Sequence, residues 1–108
     1  PQTGQTTFNF TRVWVDEQLE HFDKILMDAR VVATESKPPR FKFQFIKRNS
    51  LYEKLGLQKD DVILEVNGFV IDSITKALKL METLQSEREI VLKVEREKQP
   101  VTFRYFID

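Results

Sequence analysis

The sequence contains no cysteine, a single histidine and only three glycines among its 108 residues. The lack of cysteine excludes disulfide bonds, thiol catalysis and thiolate metal sites. So few glycines leave no glycine-rich loop of the kind that holds a phosphate group. No apolar run reaches the roughly 18 residues that a membrane-spanning helix needs, and no signal-peptide pattern stands at the beginning. Because the chain begins with Pro1 rather than methionine, we expect it to be a fragment of a longer protein.

Neither sign of charge is in excess, because 17 basic and 17 acidic residues give a formal net charge of zero. This balance argues against nucleic-acid binding, which usually needs a basic excess or a basic stripe. The length suits one domain with one core. We assign residues 1–12 to a weakly patterned N-terminal segment and residues 13–108 to a single domain. Within the first segment, Phe8 and Phe10 alternate with polar residues, so this part is either a short strand or a loose end.

Two segments carry the signals of longer helices. Asp16 is a suitable N-cap, and the spacing of the apolar residues after it predicts a helix over 17–29. Asp72 or Ser73 caps the second helix, which we place at about 74–85. Its apolar stripe is wider than one buried face requires and falls into two rows: Ala77, Leu80 and Leu84, and Ile74, Leu78 and Met81.

The stretch SLYEKLGLQKDDVILEVNG, residues 50–68, contains several local signals in close succession. Ser50 and Glu53 have the spacing of a capping box, which predicts one short helical turn. Gly56 ends that turn, because a left-handed C-terminal residue costs glycine little. Residues 58–61 then predict a solvated polar turn.

Six further segments predict strands, and they are 31–34, 41–46, 62–66, 69–71, 89–97 and 101–107. Turns separate them at Pro38-Pro39, at Asn67-Gly68 and at 98–100. Alternation predicts that two sets each face one way: Phe41, Phe43 and Phe45, and Val62, Leu64 and Val66. The order of elements predicts an α+β fold. We expect a small, partly open antiparallel barrel or sandwich of about five to six strands, with two main helices and one short helical turn.

The residues offer little for catalysis or for a cofactor. The single histidine, His21, lies off the apolar face of the first helix and is expected to be solvated. Ser50 is better explained as a helix cap than as a nucleophile, because no histidine is near it in the chain and the Gly-x-Ser-x-Gly motif is absent. Asp60 and Asp61 are expected in a solvated turn, without further metal ligands around them. We therefore predict a protein that is not an enzyme, with no catalytic residues, no metal and no cofactor.

Taken together, these signals resemble a bacterial PDZ domain. The family pattern is a serine followed six residues later by Gly-Leu, a polar turn ending in Asp, a strand, Asn-Gly, a helix and a Val-x-Arg strand. The matching residues are Ser50, Gly56, Leu57, Asp61, Val62, Ile63, Val66, Asn67, Gly68, Val94 and Arg96. The helix that runs into ARVVATE and the stretch FKFQFIKRNSLYEKLGL resemble more closely the PDZ domain of type II secretion system protein C.

The sequence departs from this narrower pattern at three places. Lys47-Arg48-Asn49 replaces the usual Pro-Gly before the serine, and Asp60 replaces the glycine of a Gly-Asp pair. The hairpin turn uses Pro38-Pro39 instead of Asp-Gly. PDZ domains of periplasmic proteases are the nearest competing assignment.

The resemblance implies a non-catalytic interaction domain with a peptide groove between one sheet edge and the last helix. For that groove we predict Val31, Val32 and Ala33 on the strand and Ile74, Leu78 and Met81 on the helix; the alternative is that all six apolar helix residues are core. The implied setting is the periplasmic side of the bacterial inner membrane, in a longer, membrane-anchored component of type II secretion. The implied partner is a secreted substrate or another assembly protein, with no nucleic acid and no membrane contact by this fragment.

Other readings stay open from the sequence. One alternative is the regulatory PDZ domain of a periplasmic serine protease. Another is a structural interaction domain whose groove is closed by the first helix or which dimerises through an edge strand. Many PDZ domains hold a chain terminus in a glycine-rich loop before the binding strand, but residues 27–30 here read Met-Asp-Ala-Arg. We therefore expect an internal segment rather than a free C-terminus as ligand, with an affinity of roughly micromolar or weaker.

Overall fold

The structure, a computed structural model, describes residues 5–108, apart from the side chains of Phe22, Ile74, Leu78, Met81, Thr83 and Leu84. Within this part the chain forms seven strands and four helices. The strands are β1 Gln5–Phe10, β2 Ala29–Ala33, β3 Phe41–Ile46, β4 Val62–Val66, β5 Phe69–Val70, β6 Glu89–Arg96 and β7 Gln99–Ile107. The helices are α1 Arg12–Glu20, α2 Phe22–Met27, α3 Leu51–Lys54 and α4 Ile74–Leu84.

The strands form one mixed, partly open sheet in the order β1-β7-β6-β4-β3-β2, and β5 pairs with β4. Among the described strands, all pairs are antiparallel except β1 with β7, which is parallel. The sheet does not close into a barrel, so β1 and β2 lie at its two ends. The predicted α+β class and partly open sheet are confirmed. The count of seven strands exceeds the expected five to six because β1 joins the sheet.

Aromatic side chains attach β1 and α1 to the rest of the domain. The ring of Phe8 stacks on Tyr105 with 5.4 Å between centroids, and the ring of Phe10 stacks on Trp14 at 4.6 Å. Such pairs contribute roughly 0.5–1.5 kcal/mol beyond the area that they bury. Of the two alternatives for the beginning of the chain, the structure therefore has the strand.

The predicted helix over 17–29 is wrong in its start and in its continuity. It begins at Arg12, because the Thr11 hydroxyl accepts a hydrogen bond from the backbone N–H of Trp14 at 3.1 Å and caps the helix. It breaks at His21, whose φ of −104° and ψ of 49° are not helical. The second piece ends before Asp28, and β2 begins at once with Ala29, earlier than predicted.

The alternation of phenylalanines along β3 is interrupted by a bulge. Val31 pairs with Phe43 but the preceding Arg30 pairs with Phe45, so Gln44 has no opposite residue. A bulge turns the side chains beyond it to the other face of the sheet. Phe43 is accordingly 3% exposed whereas Phe45 is 53% exposed. The prediction that Phe41, Phe43 and Phe45 face one way is therefore wrong for Phe45.

A second bulge changes the faces of β4. Its register with β6 shifts between Ile63 and Glu65. Ile63 and Val66 pack in the core, whereas Val62 and Leu64 line a cleft on the outer surface. The prediction that Val62, Leu64 and Val66 face one way is therefore wrong.

The turn between the last two strands is shorter than predicted. Glu97 and Lys98 form it, and both have positive φ, 52° and 66°. Two left-handed residues are what a tight two-residue hairpin requires. Gln99 and Pro100 belong to β7 instead, where Pro100 pairs with Glu95.

The core lies on the inner face of the sheet. Its buried side chains are Phe43, Leu57, Val66, Ile71, Leu92, Val94, Val101, Phe103 and Tyr105. The Tyr105 hydroxyl donates a hydrogen bond to the Leu55 carbonyl at 2.7 Å. Burial raises the pKa of Tyr105 well above its usual range, so this hydroxyl stays protonated and remains a donor near neutral pH.

Candidate functional site

The outer edge of β2 is free of pairing within the described residues, because β2 pairs with β3 alone. Two backbone hydrogen bonds show which groups face that edge. The N–H of Thr34 donates to the Arg40 carbonyl at 2.8 Å and so points toward β3. The N–H of Phe43 donates to the Asp61 carbonyl at 2.9 Å and so points away from β2, toward β4. Backbone groups alternate in direction along an antiparallel strand. Val32 therefore directs its N–H and C=O to β3, and Val31 and Ala33 direct theirs to the open edge.

The side chains of β2 also divide between the two faces. Val31 and Ala33 pair with Phe43 and Phe41 and so lie on the core face, yet Val31 is 44% exposed and Ala33 is exposed as well. Because Val31 and Ala33 are apolar and lie on the core face, their exposure shows that no part of the described chain covers them. Val32 lies on the opposite face beside Lys42 and is half-buried.

Helix α4 is the predicted second wall of the groove. The Ser73 hydroxyl accepts a hydrogen bond from the N–H of Lys76 at 3.2 Å, which identifies Ser73 as the cap. Ala77 and Leu80 are half-buried and pack against the core. The second row of the helix, at the positions of Ile74, Leu78 and Met81, lies about a quarter turn around the helix axis from Ala77 and Leu80. Their side chains lie outside the described part of the structure, so the assignment of that row to the groove stays a prediction.

An ion pair strengthens the beginning of α4. Lys76 Nζ lies 2.8 Å from Asp72 Oδ1. The hydrogen bond from Lys76 lowers the pKa of Asp72 below its usual value, with a smaller contribution from nearby positive charge. Asp72 thus stays ionised next to the positive end of the helix dipole, where an anion is favourable.

A carboxylate stands immediately before β2. Asp28 is 5% exposed, and its oxygens lie 2.6 Å from Lys24 Nζ and 4.0 Å from Lys47 Nζ. The hydroxyl of Tyr52 nearby donates to the Ile25 carbonyl at 2.7 Å. Burial, and secondarily the charge of Asp28, raise the pKa of Tyr52. The position directly before β2 is therefore a buried carboxylate that is contacted by two lysines.

Helix α1 covers an apolar cavity of about 180 Å³ that lies between α1, α3 and the sheet. The described lining contains no residue of β2; it consists of Phe10, Trp14, Val15, Gln18, Leu19, Leu51, Leu55, Val66, Ile90, Leu92, Tyr105 and Ile107. Arg12 anchors the beginning of the helix, since its guanidinium donates to the carbonyls of Gln85 and Glu87. Within the described residues, α1 therefore covers α3 and the middle of the sheet rather than the strand edge of the groove.

A buried ion pair fixes the turn before β4. Asp61 is fully buried, and both its oxygens accept hydrogen bonds from Arg96, at 2.8 and 2.7 Å. The same carboxylate accepts a bond from the N–H of Gln58, and Arg96 also donates to the Gly56 carbonyl at 3.0 Å. The prediction of a solvated turn is wrong for Asp61 and holds for Gln58, Lys59 and Asp60, which are exposed. In the sequence, the signal for the Asp61–Arg96 ion pair was that both residues match the PDZ pattern.

The residues considered for catalysis do not come together. His21 is exposed, and Ser50 is buried as the cap of α3, where its hydroxyl accepts a bond from the N–H of Glu53. The Glu53 carboxylate accepts a bond from the N–H of Asn49 rather than from that of Ser50, a variation on the capping box. No group of three or more potential metal ligands occurs in the part of the chain that the structure describes. Likewise, none of the described helices has the length and apolarity needed to cross a membrane.

No family model and no curated protein matches this sequence. Solved structures of PDZ domains do resemble its fold. A PDZ domain of EpsC from Vibrio cholerae superimposes with a TM-score of 0.56 at 20% identity, covering 86% of this chain and 94% of the other. The PDZ domain of the type II secretion pullulanase C protein from Klebsiella pneumoniae, solved with a fatty acid, gives 0.55 at 24% identity, with 85% and 98% covered.

The PDZ domain of HtrA3, solved with the phage-derived ligand FGRWV, is also similar. Its TM-score is 0.51 at 24% identity, and the match covers 69% of this chain and 76% of the other. These likenesses show that the chain has the PDZ fold. The expectation from the sequence motifs is therefore confirmed at the level of the fold, with PDZ domains of type II secretion proteins among its structural neighbours.

Proposed function

We propose that this chain is a non-catalytic interaction domain that binds an extended protein segment as an additional strand along β2. The observation that carries the proposal is the open edge of β2, where Val31 and Ala33 present unpaired backbone groups and exposed apolar side chains together. In strand addition, backbone hydrogen bonds supply affinity and pockets for alternate side chains supply selectivity. The peptide ligand of the structurally similar HtrA3 domain supports this kind of partner.

The proposed groove has α4 as its second wall. Val31 and Ala33 would contact every second side chain of the partner from the sheet side, because side chains alternate along a strand. Ile74, Leu78 and Met81 would contact the same side chains from the helix. A short added strand must offset the cost of its own ordering, so we expect a dissociation constant of roughly micromolar or weaker.

The proposed setting is the periplasmic side of the inner membrane, in a component of type II secretion that contacts a secreted substrate or an assembly partner. The structural likeness to the EpsC and pullulanase C domains supports it. The likeness to HtrA3 favours a second candidate, the regulatory domain of a periplasmic serine protease. The full-length chain distinguishes them: a transmembrane helix with a small β domain supports the first, and a trypsin-like domain supports the second.

We propose further that the groove takes an internal segment. Asp28 stands before β2, where many PDZ domains hold a terminal carboxylate, and its own carboxylate already contacts the nearby cations Lys24 and Lys47. The expected result is that a strand peptide binds with similar affinity, within about threefold, whether its C-terminus is free or amidated, because the backbone bonds along β2 dominate.

The test is a chemical-shift titration of the ¹⁵N-labelled domain with acetyl-Gln-Val-Gln-Val-Gln-Val in both terminal forms. Shifts centred on residues 29–33 and 74–84 support the groove. The absence of any shift there contradicts strand addition. A preference of more than about tenfold for the free acid contradicts the internal-segment proposal while leaving strand addition intact.

A further inference from the structure

We propose that the partner segment is acidic, with apolar side chains toward Val31 and Ala33 alternating with aspartate or glutamate side chains beside Arg30. This inference rests on the proposed strand addition and names the chemistry of the strand that is added. It follows from how charge is distributed in the fold and from which charges have partners.

The chain is neutral as a whole but polarised along its length. Residues 21–54, which contain β2 and β3, carry eight basic and four acidic residues, a net charge of +4. The remainder therefore carries −4, since the whole chain sums to zero. An extended segment that adds to β2 meets this positive part of the molecule, and a complementary charge both steers association and favours the bound state.

The positive charges next to the open edge are available to a partner. Arg30 pairs with Phe45 and lies on the outer face of the sheet, where it is exposed. Lys42 lies on the same face, opposite Val32. Within residues 5–108, no ion pair or hydrogen bond links the side chain of either residue to a described group. The buried acid Asp28, two residues before Arg30 in the chain, is already contacted by Lys24 and Lys47.

Strand geometry determines which partner residues meet these cations. A strand added to β2 directs alternate side chains to the core face and to the outer face. Those on the outer face lie beside Arg30 and, one strand further, near Lys42. Opposite charges on neighbouring strands attract each other and like charges repel. Glutamates at every second position therefore fit this edge, with valines between them toward Val31 and Ala33.

The experiment compares acetyl-Glu-Val-Glu-Val-Glu-Val-amide with versions that carry Lys or Gln in place of Glu, by chemical-shift titration at about 50 mM salt. We expect the acidic peptide to bind at least about tenfold tighter than the lysine peptide, with the glutamine peptide between them. The difference should shrink as salt is raised, because these charges are exposed to solvent.

The variant Arg30→Glu should reduce or reverse this order, whereas Lys98→Glu should leave it unchanged. Lys98 lies in the β6–β7 turn, so its substitution makes the same change in net charge away from β2. Equal affinity for the three peptides would overturn the acidic-partner inference while strand addition stands. Binding of none of them would overturn both. The spectrum of each variant without peptide shows directly whether it is folded.

Discussion

Replacement of Asp61 with alanine is expected to lower the free energy of unfolding by about 3–5 kcal/mol, because removal of one member of a buried ion pair leaves the other charge uncompensated. Asp61 accepts three hydrogen bonds and has no exposed surface. Without it, the contacts that the Arg96 guanidinium keeps among the described residues are the hydrogen bond to the Gly56 carbonyl and its position 5.5 Å from the centre of the Phe103 ring. Urea denaturation of the purified domain measures the change.

The neighbouring residue provides the control. Asp60 is exposed, and Asp60→Asn keeps a residue type that tolerates its φ of 73°, so we expect a change within about 0.5 kcal/mol. The double variant Asp61→Ala, Arg96→Met should lose less than the sum of the two single variants, because it removes both charges. A loss below about 1 kcal/mol for Asp61→Ala would contradict the role assigned to this pair.

Replacement of Gly56 with alanine is expected to cost about 2–5 kcal/mol. Its φ of +92° is unfavourable for any residue with a Cβ by roughly 1–2 kcal/mol. The added Cβ would also lie 2.9 Å from Phe103 Cε1 and 3.1 Å from Phe8 Cζ. Phe103 is 3% exposed, so its ring has little room to move, and overpacking of this kind costs roughly 1–3 kcal/mol.

Gly68 separates the two contributions. Its φ is +83°, but a Cβ there would have no atom within 4 Å. Gly68→Ala should therefore show the backbone cost alone, about 1–2 kcal/mol. Equal losses for the two variants would show that the contact with Phe103 contributes nothing. Thermal or urea denaturation under identical conditions gives the comparison.

Elements defined by local chemistry could be predicted from the sequence. The short helix α3 follows from its cap at Ser50 and its end at Gly56, and both are observed. The tight turn at Asn67-Gly68 has positive φ at both residues, 50° and 83°, as an Asn-Gly turn requires. In each case the signal and its structural consequence lie within a few residues of each other.

The two β-bulges could not be predicted, because they depend on pairing between distant strands. The run from Phe41 to Phe45 alternates in the sequence, but Gln44 lies opposite no residue of β2. The same holds at the irregularity between Ile63 and Glu65, which only the pairing with β6 reveals. Local alternation carries no information about such an insertion.

Two departures from the PDZ pattern adopt the left-handed conformation that favours glycine. Asn49 and Asp60 stand where the resembling domains have glycine, and their φ values are 63° and 73°. Asparagine and aspartate are the residues other than glycine that most readily adopt this conformation. Both positions therefore have a residue that tolerates positive φ, although neither is glycine.

The candidate site was only partly accessible to prediction. The position of β2 followed from its sequence pattern and from the resemblance to PDZ domains. The ion pair between Asp61 and Arg96 joins residues that are 35 positions apart in the sequence, so it depends on the whole fold. Which row of α4 faces the groove depends on the side chains of Ile74, Leu78 and Met81, which are outside the described residues.

The central claim is that the outer edge of β2 is open, and amide hydrogen exchange of the free domain measures it residue by residue. We predict fast exchange for the N–H groups of Val31 and Ala33 and slow exchange for that of Val32, which bonds to β3. On saturation with the acidic strand peptide, the first two should become protected. Slow exchange of Val31 and Ala33 in the free domain would show that the edge is already occupied and would contradict the proposed function.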